Sequence, residues 1–476
     1  MPTLLHISDL HRTPGPRLSN DDLLAAIRSD AARWESEGLD RPDIIVVSGD
    51  VIQGHDHDAA DPDSDVRSQY AEAGSFLGQL AEEFVGSDRS RVVIVPGNHD
   101  VHWSRSRLAM EQLQECPAEI ATKSLEPASQ LRWSWEDQTA FKITDLTAYD
   151  SRLDHFRQFR EEFYRDANPN PLKFDHDLFF VEYPDLKMVA AGFPSWHGND
   201  CFCLAGDIAP SALVLAQQLM ADSPHPIALA TWHHSIIGGP RTHDYMDQRI
   251  VHRLVDFGFN LGLHGHQHFP DAAPFELRLP NLTSMGVIGA GSLAVGDDQL
   301  PMGEQRQFNV ITIDPDKETV KVHVRAMSHA GVFAGSHRND FGGNTYMQIQ
   351  LPRPPRRHQS TSRVQMIDNA ITAVRAERFD DALKAIEEID PSCSAEVRAI
   401  TIAAFEGLGK LTELMEFLDP PKSTDEATKL ISLLLDVHRF GDASDVIQVS
   451  EDLLGEHVAK ELDAAINARR RLYESS

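Results

Sequence analysis

The sequence predicts an α/β domain built on a parallel sheet, followed by a separate all-α segment, and three observations carry that expectation. Short apolar runs alternate with stretches of helical periodicity over about residues 1 to 350. Each run ends in polar or glycine residues. Beyond a proline-rich stretch at residues 352–362 the strand signal disappears.

Taken in order, the first runs are TLLHIS (3–8), DIIVVSG (43–49) and RVVIVPG (91–97). Runs this short and this continuously apolar fit strands covered on both faces, because a half-exposed strand alternates polar and apolar positions. Between them, Leu23, Ile27, Ala31 and Trp34 lie on one helical face, and Tyr70, Ala73, Leu77, Leu80 and Phe84 on another. The order is βαβαβ, a parallel sheet wrapped by helices. Further strands fall at LFFVEY (178–183), KMVAAGF (187–193), PIALATW (226–232) and FNLGLHG (259–265). FNVITIDPDKETVKVHVRAM reads as two strands around a polar turn, and TYMQIQL (345–351) closes the domain. PRPPRRHQSTS has the composition of an inter-domain linker. The expected organisation is therefore a catalytic domain at 1–352 with an insertion at about 104–175, a linker at 353–365 and a helical domain at 366–476.

Composition bounds the function. Asp and Glu outnumber Lys and Arg by 73 to 44, a formal charge of −29, which disfavours direct binding of duplex nucleic acid or an anionic membrane. The N-terminal MPTLLHISDLH has no basic leader, and no run reads as a membrane helix, so a cytoplasmic protein is expected. Cys116, Cys201, Cys203 and Cys393 have no paired spacing, which argues against a disulfide framework.

In open α/β sheets ligands sit beyond the carboxyl ends of the strands. There this sequence concentrates its donors: Asp9 and His11 after the first strand, Asp50 after the second, and Asn98, His99 and Asp100 after the third. His233 and His234 follow ALATW, and His266 and His268 follow LGLHG. Carboxylates, an amide and imidazoles together suit zinc, manganese or iron.

These motifs, DxH, GD, GNHD, a His doublet and GHxH, occur in the order found in the calcineurin-like metallophosphoesterases, which the chain resembles over about residues 1–350. The resemblance implies a four-layer αββα sandwich and a centre of two divalent transition-metal ions, manganese, iron or zinc. It implies that Asp9, His11 and His268 hold one ion, that Asn98, the strand-end histidine and His266 hold the other, and that Asp50 bridges both. For the strand-end ligand, His233 is preferred over His234 because it stands nearer the strand. A hydroxide held between the ions would attack phosphorus. His99 would contact the phosphate and protonate the leaving oxygen, with Asp100 orienting it. The favoured reaction is phosphodiester hydrolysis, of the nucleotide phosphodiesterase or nuclease type. The alternatives are a phosphomonoesterase or protein phosphatase, and a partner-dependent interaction protein in which this domain is regulatory.

The family's second carboxylate in GDxxD is replaced here by Gln53, which puts the support around Asp50 in question. The insertion, with QLRWSWEDQTAF and YDSRLDHFRQFREEFY, reads as a cap over the site, Trp133 and Trp135 as buried cover, and His264 as structural. The acidic stretch at 55–65 reads as a solvated loop rather than a third cation site. Beyond the linker, ERFDDALKAI, GKLTELMEFL and HRFGDASDVI echo one another, with Phe379, Leu411 and Phe440 at matching offsets. This resembles degenerate tetratricopeptide-type repeats and implies a protein partner or self-association through the C-terminal helices.

Overall fold

The computed structural model describes residues 1–474 except 16–17, 56–58, 175–176, 222, 239–243, 277–283, 297–298, 337–340, 342–343, 353–365, 368, 372, 375–377, 388, 390 and 392–394. The chain divides into two compact units, Met1–His358 and Gln359–Ser476. The expected linker and Cys393 lie outside the described residues.

The first unit opens with β1 (Thr3–Ile7), α1 (Asn20–Ala31), β2 (Ile44–Ser48), α2 (Pro62–Val85) and β3 (Val92–Val95). The three strands pair in parallel and are buried throughout, as their unbroken apolar character requires. Next come α3 (Trp103–Leu108), β4 (Met110–Gln112), α4 (Ile120–Lys123), β5 (Leu131–Ser134), β6 (Thr139–Ile143), α5 (Leu146–Asp150) and α6 (Asp154–Phe163). The chain continues through β7 (Phe179–Tyr183), β8 (Met188–Gly192), α7 (Pro210–Ala221), β9 (Ile227–Thr231), α8 (Gln248–Asp256) and β10 (Leu261–His264). It closes with β11 (Asp271–Glu276), β12 (Ser284–Gly289), β13 (Gln307–Asp314), β14 (Thr319–Met327), β15 (Phe333–Gly335) and β16 (Met347–Gln350).

One sheet runs β15-β14-β13-β1-β2-β3, with β16 also paired to β14, and the other runs β11-β12-β10-β9-β8-β7. They face each other across one core that joins Val47 and Ile94 to Ala190, Leu229 and Leu263. Gly192 shows how closely they approach, since a Cβ there would lie 2.9 Å from Val95 of the opposite sheet. With helices outside, this is the four-layer αββα sandwich. Both sheets are mixed, because β13 joins β1, β7 joins β8 and β11 joins β12 in antiparallel fashion. The parallel reading holds for the strands that carry the site. In β14 buried and partly exposed positions largely alternate, as in antiparallel strands with one face toward solvent. The predicted face of α2, Tyr70, Ala73, Leu77, Leu80 and Phe84, is buried, and the helix begins eight residues before Tyr70, at Pro62. Part of the acidic stretch is therefore helical, while residues 56–58 lie outside the described ones.

The insertion forms its own sheet, β4-β6-β5. Here the expectation of buried cover fails for Trp135, which is 77% exposed and meets the half-buried Trp133 edge to face. Arg132 and Ser134 are instead the buried positions of β5, and Arg132 Nε donates to Asp200 at 2.6 Å. Side chains alternate along a strand, so an ion pair that claims Arg132 turns both indoles to the opposite face, where Trp133 is half-buried and Trp135 exposed.

The second unit is helical in its described residues: α9 (Phe379–Ala385), α10 (Ala395–Gly407), α11 (Leu411–Leu418), α12 (Thr424–Asp436), α13 (Phe440–Val449), α14 (Glu451–Leu454) and α15 (Glu456–Glu474). Phe379, Leu411 and Phe440 each open a helix, α9, α11 and α13. From α9 to α13 each helix packs on the next.

Candidate metal centre

The donors sit in the loops that leave β1, β2, β3, β9 and β10. Asp9 N donates to the Gly49 carbonyl at 3.1 Å and His11 N to the Asp50 carbonyl at 3.0 Å, which ties the first two loops together. Of the ten described non-glycine residues with positive φ, five are Asp9, His11, Asp50, His266 and His268. Such backbone costs about 1–3 kcal/mol per residue and persists only where its surroundings impose it. Here the surroundings are too close for any other shape. A Cβ on Gly97 would lie 2.2 Å from Asp50 Oδ1, and one on Gly265 1.8 Å from Ser8 Oγ.

Main-chain carbonyls aim the imidazoles. His233 Nδ1 meets the Ser48 carbonyl at 2.8 Å and His268 Nδ1 the Gln299 carbonyl at 3.1 Å. A carbonyl can only accept, so these nitrogens carry a proton and Nε2 is the atom each ring can offer to a metal once its own proton is displaced. His233 Nε2 lies 3.3 Å from Asp50 Oδ2 and 3.2 Å from Asn98 Oδ1, and His268 Nε2 lies 3.2 Å from Asp9 Oδ1. His266 turns the other way, with Nδ1 3.1 Å from Asn98 Oδ1 and 3.3 Å from His233 Nε2. His11 Nε2 stands 3.7 Å from Asp50 and 4.0 Å from Asp9. His234 points elsewhere, its Nδ1 2.8 Å from buried Ser195 Oγ. The structure thus gathers Asp9, His11, Asp50, Asn98, His233, His266 and His268 and leaves His234 outside. His264 is buried and stacks on Trp232.

The centre needs positive charge. Burial raises Asp50, yet His233 and His99 hold it well below the usual carboxylate range. Burial lowers His233, but Asp50 outweighs it and pushes the imidazole up to about 9. Asp9 does the same for His268, also to about 9, whereas in His11 burial prevails and takes the ring down to about 3. Both ring nitrogens of His11 are buried without a hydrogen-bond partner. Orphaned buried donors and acceptors are expensive unless something binds them. Divalent cations fit: they satisfy those atoms and replace the protons the carboxylates otherwise recruit. Three sets, Asp9/His11/His268, His11/Asp50/His99 and Asp9/Asp50/His233, have ligand atoms within 4.8 Å of one another and could hold metal.

The family model for calcineurin-like phosphoesterases matches residues 2–270, a span that contains every one of these donors. The chain belongs to that family. No curated protein matches the chain. Among solved structures, the chain is similar to PhoD at 9% identity and a TM-score of 0.38, covering 77% of this chain and 78% of that one. It is also similar to GAP50, described as the anchor in the inner membrane complex of Plasmodium, at 11% identity and a TM-score of 0.33, covering 74% and 89%. A Vps29 single mutant from Entamoeba histolytica is similar at 8% identity and a TM-score of 0.23, covering 69% and 94%.

Around this phosphoesterase centre two expectations change. Asp100 does not orient His99. Its Oδ2 accepts from Gly97 N at 2.8 Å and Val51 N at 3.1 Å, and its Oδ1 accepts from Tyr70 Oη at 3.0 Å. Burial and then the charge of Asp50 push Asp100 up to about 7. It braces two loops, while His99 Nδ1 donates to the Gln53 carbonyl at 2.7 Å. Sequence motifs missed that acceptor because every residue has one. The second change concerns a fourth group, Asp63, His102 and His155. Asp63 Oδ1 accepts from His155 Nε2 and Arg105 Nη2, both at 2.7 Å, with His102 Nε2 at 3.3 Å. His102 Nδ1 accepts the Arg105 amide, so its Nε2 carries the proton. With Arg105 and His155 both donating to one carboxylate oxygen, this is a hydrogen-bonded hub joining α2, α3 and α6. No helix among the described residues is long and apolar enough to cross a membrane.

Proposed function

We propose that the chain hydrolyses phosphodiesters at this centre. One observation carries the reading: Asp50 Oδ2 stands between two sets of donors, 3.7 Å from His11 Nε2 and 3.3 Å from His233 Nε2, and both ring nitrogens of His11 are buried without a hydrogen-bond partner. Asp9, His11 and His268 would hold one ion and Asn98, His233 and His266 the other, with Asp50 available to both. Two such ions, manganese, iron or zinc, would supply Lewis acidity for phosphoryl chemistry there. Asn98 is fixed by His233 and His266. His99 keeps Nδ1 on the Gln53 carbonyl, leaving Nε2 to protonate the departing oxygen.

The described contacts of the centre come from carboxylates, imidazoles, an amide and main-chain groups, without a lysine or arginine among them. A monoanionic diester asks for less added positive charge than a dianionic monoester, and the formal charge of −29 disfavours long polyanions. Small diesters such as cyclic nucleotides therefore fit best. The test is a manganese-supplemented screen of the purified protein against bis-p-nitrophenyl phosphate, p-nitrophenyl phosphate, cyclic nucleotides, single-stranded DNA and RNA. Preferential diester turnover is expected. Turnover of the monoester alone would establish a phosphomonoesterase instead, and a fully metallated protein with no turnover would favour the regulatory reading. His99→Ala keeps both ions and loses about 10²- to 10⁴-fold, most on poor leaving groups.

The helical unit is proposed to dock a protein partner or a second copy. Supporting this, Phe379, Leu411 and Phe440 recur at every second helix, in the manner of tetratricopeptide-type pairs. Truncation after residue 352 should leave small-diester cleavage intact and abolish capture of the partner or self-association seen by light scattering.

A further inference from the structure

Gln69 has no part in metal binding or in contact with substrate as read above, yet it is 2% exposed on α2, at the level of the catalytic loops. Its side-chain amide makes two reciprocal bonds to one residue. Gly54 N donates to Gln69 Oε1 at 3.0 Å, and Gln69 Nε2 donates to the Gly54 carbonyl at 2.8 Å. A primary amide facing a peptide in this way locks both position and orientation, because neither bond can be kept if the loop rotates. Gly54 is held at φ +81°, and a Cβ there would lie 3.1 Å from the His99 carbonyl oxygen, so the clamped loop rests directly on the GNHD turn.

The residue immediately before Gly54 supplies the main-chain acceptor of the His99 ring, the Gln53 carbonyl, at 2.7 Å from Nδ1. Where a carboxylate side chain could reach His99 by itself, a carbonyl goes wherever its backbone goes. Something must then hold that backbone. The neighbouring helix residue, Tyr70, braces the other side of the same turn through Asp100 Oδ1 at 3.0 Å. Consecutive residues of α2 thus grip the loop after β2 and the loop after β3.

We propose that Gln69 is a positioning residue for His99: by clamping Gly54 it holds the Gln53 carbonyl against Nδ1 and so fixes the ring whose Nε2 serves the leaving oxygen. The inference rests on the proposed role of His99, and its test separates the two. Misplacement of a catalytic group by about 1 Å costs on the order of 10²-fold. In the full-length protein, Gln69→Leu removes both bonds at similar size, and Gln69→Glu keeps the acceptor for Gly54 N while losing the donor to its carbonyl.

Expected for Gln69→Leu are two retained metal ions by elemental analysis, an unchanged KM, and a kcat about 10- to 100-fold lower on diphenyl phosphate, with a smaller loss on bis-p-nitrophenyl phosphate. Gln69→Glu should fall between it and the native protein. In a His99→Ala background Gln69→Leu should cost nothing more. Independently of turnover, ¹⁵N-histidine spectra should show a protected His99 Nδ1–H, assigned by its loss in His99→Ala, that exchanges rapidly in Gln69→Leu. Multiplying losses in the double variant, or an unchanged Nδ1–H signal in Gln69→Leu, would overturn the clamp. If His99→Ala proved harmless to turnover while Gln69→Leu still freed Nδ1–H, the clamp would stand and the acid role of His99 would fall. Should the leucine variant fail to fold, the glutamate variant carries the same readouts.

Discussion

Replacing Asp200 by alanine should unpin the insertion from the sandwich. Asp200 and Arg132 are both 0% exposed at the side chain and meet at 2.6 Å. The same carboxylate accepts from Tyr149 Oη at 2.7 Å, from Phe202 N at 2.8 Å and from Cys203 N at 2.9 Å. Its loss strands a buried guanidinium and three further donors. Breaking one side of a buried ion pair costs about 3–5 kcal/mol. Arg132 also donates to the Ser129, Leu131 and Gly198 carbonyls, at 2.7, 2.9 and 2.9 Å, which offset part of that penalty. The lower end, about 3 kcal/mol, is therefore expected. The loss falls on local opening, so hydrogen exchange is the assay: amides of β6 should lose protection by about 10²-fold, while those of β1 and β2 keep theirs. Arg132→Met combined with Asp200→Leu should recover part of the loss, since neither charge then remains unpaired. A change in β6 worth less than about 1 kcal/mol, the range of exposed pairs, would refute the argument.

Other outcomes follow from the same geometry. Asp50→Asn removes the charge between the two donor sets, so elemental analysis should find at most one ion, with turnover down at least about 10²-fold. Gly97→Ala drives a Cβ to 2.2 Å from Asp50 Oδ1 and 2.7 Å from the His233 ring; metal occupancy should collapse, with about 1–3 kcal/mol of stability lost in thermal unfolding. Asp207 is pushed up to about 7, first by burial and then by Asp247, against its bond from Ile208 N and the charges of Arg253 and Arg249. A folded-state value above the unfolded one, roughly 4, means the contribution is complete below that pH and is lost as pH rises toward 7. Unfolding free energy should therefore decline across pH 4–7 more steeply in the native protein than in Asp207→Asn; equal slopes would show that Asp207 titrates normally.

What the sequence made legible was whatever repeats a period or concentrates rare donors. Continuous apolar runs marked β1, β2, β3, β8, β9 and β10 to within a residue or two, because burial on both faces leaves no room for polar positions. The donors stood out because strand ends in such sheets are where side chains are free to meet ligands. Trp135 was misread because hydrophobicity alone does not say which face of β5 turns inward; the partner that decides it, Asp200, lies 68 residues from Arg132. The hub at Asp63 was hidden likewise, since His155 is 92 residues away and the acidic stretch looks solvated until α2 begins at Pro62.

The support of His99 was invisible for a different reason, and it answers the question raised by Gln53. A missing carboxylate in a motif suggests a weakened site only if side chains are the sole means of orienting an imidazole. Here the orienting atom is the main-chain oxygen of Gln53, which survives any substitution at that position, and the sequence dependence moves to the residue that anchors the loop. Asp100 has moved in the opposite direction, from expected partner of His99 to brace for Gly97, Val51 and Tyr70. Both exchanges keep the geometry of the turn while changing who enforces it. The strained backbone at Asp9, His11, Asp50, His266 and His268 makes such enforcement necessary, because left-handed loops relax unless buried bonds on their flanks forbid it.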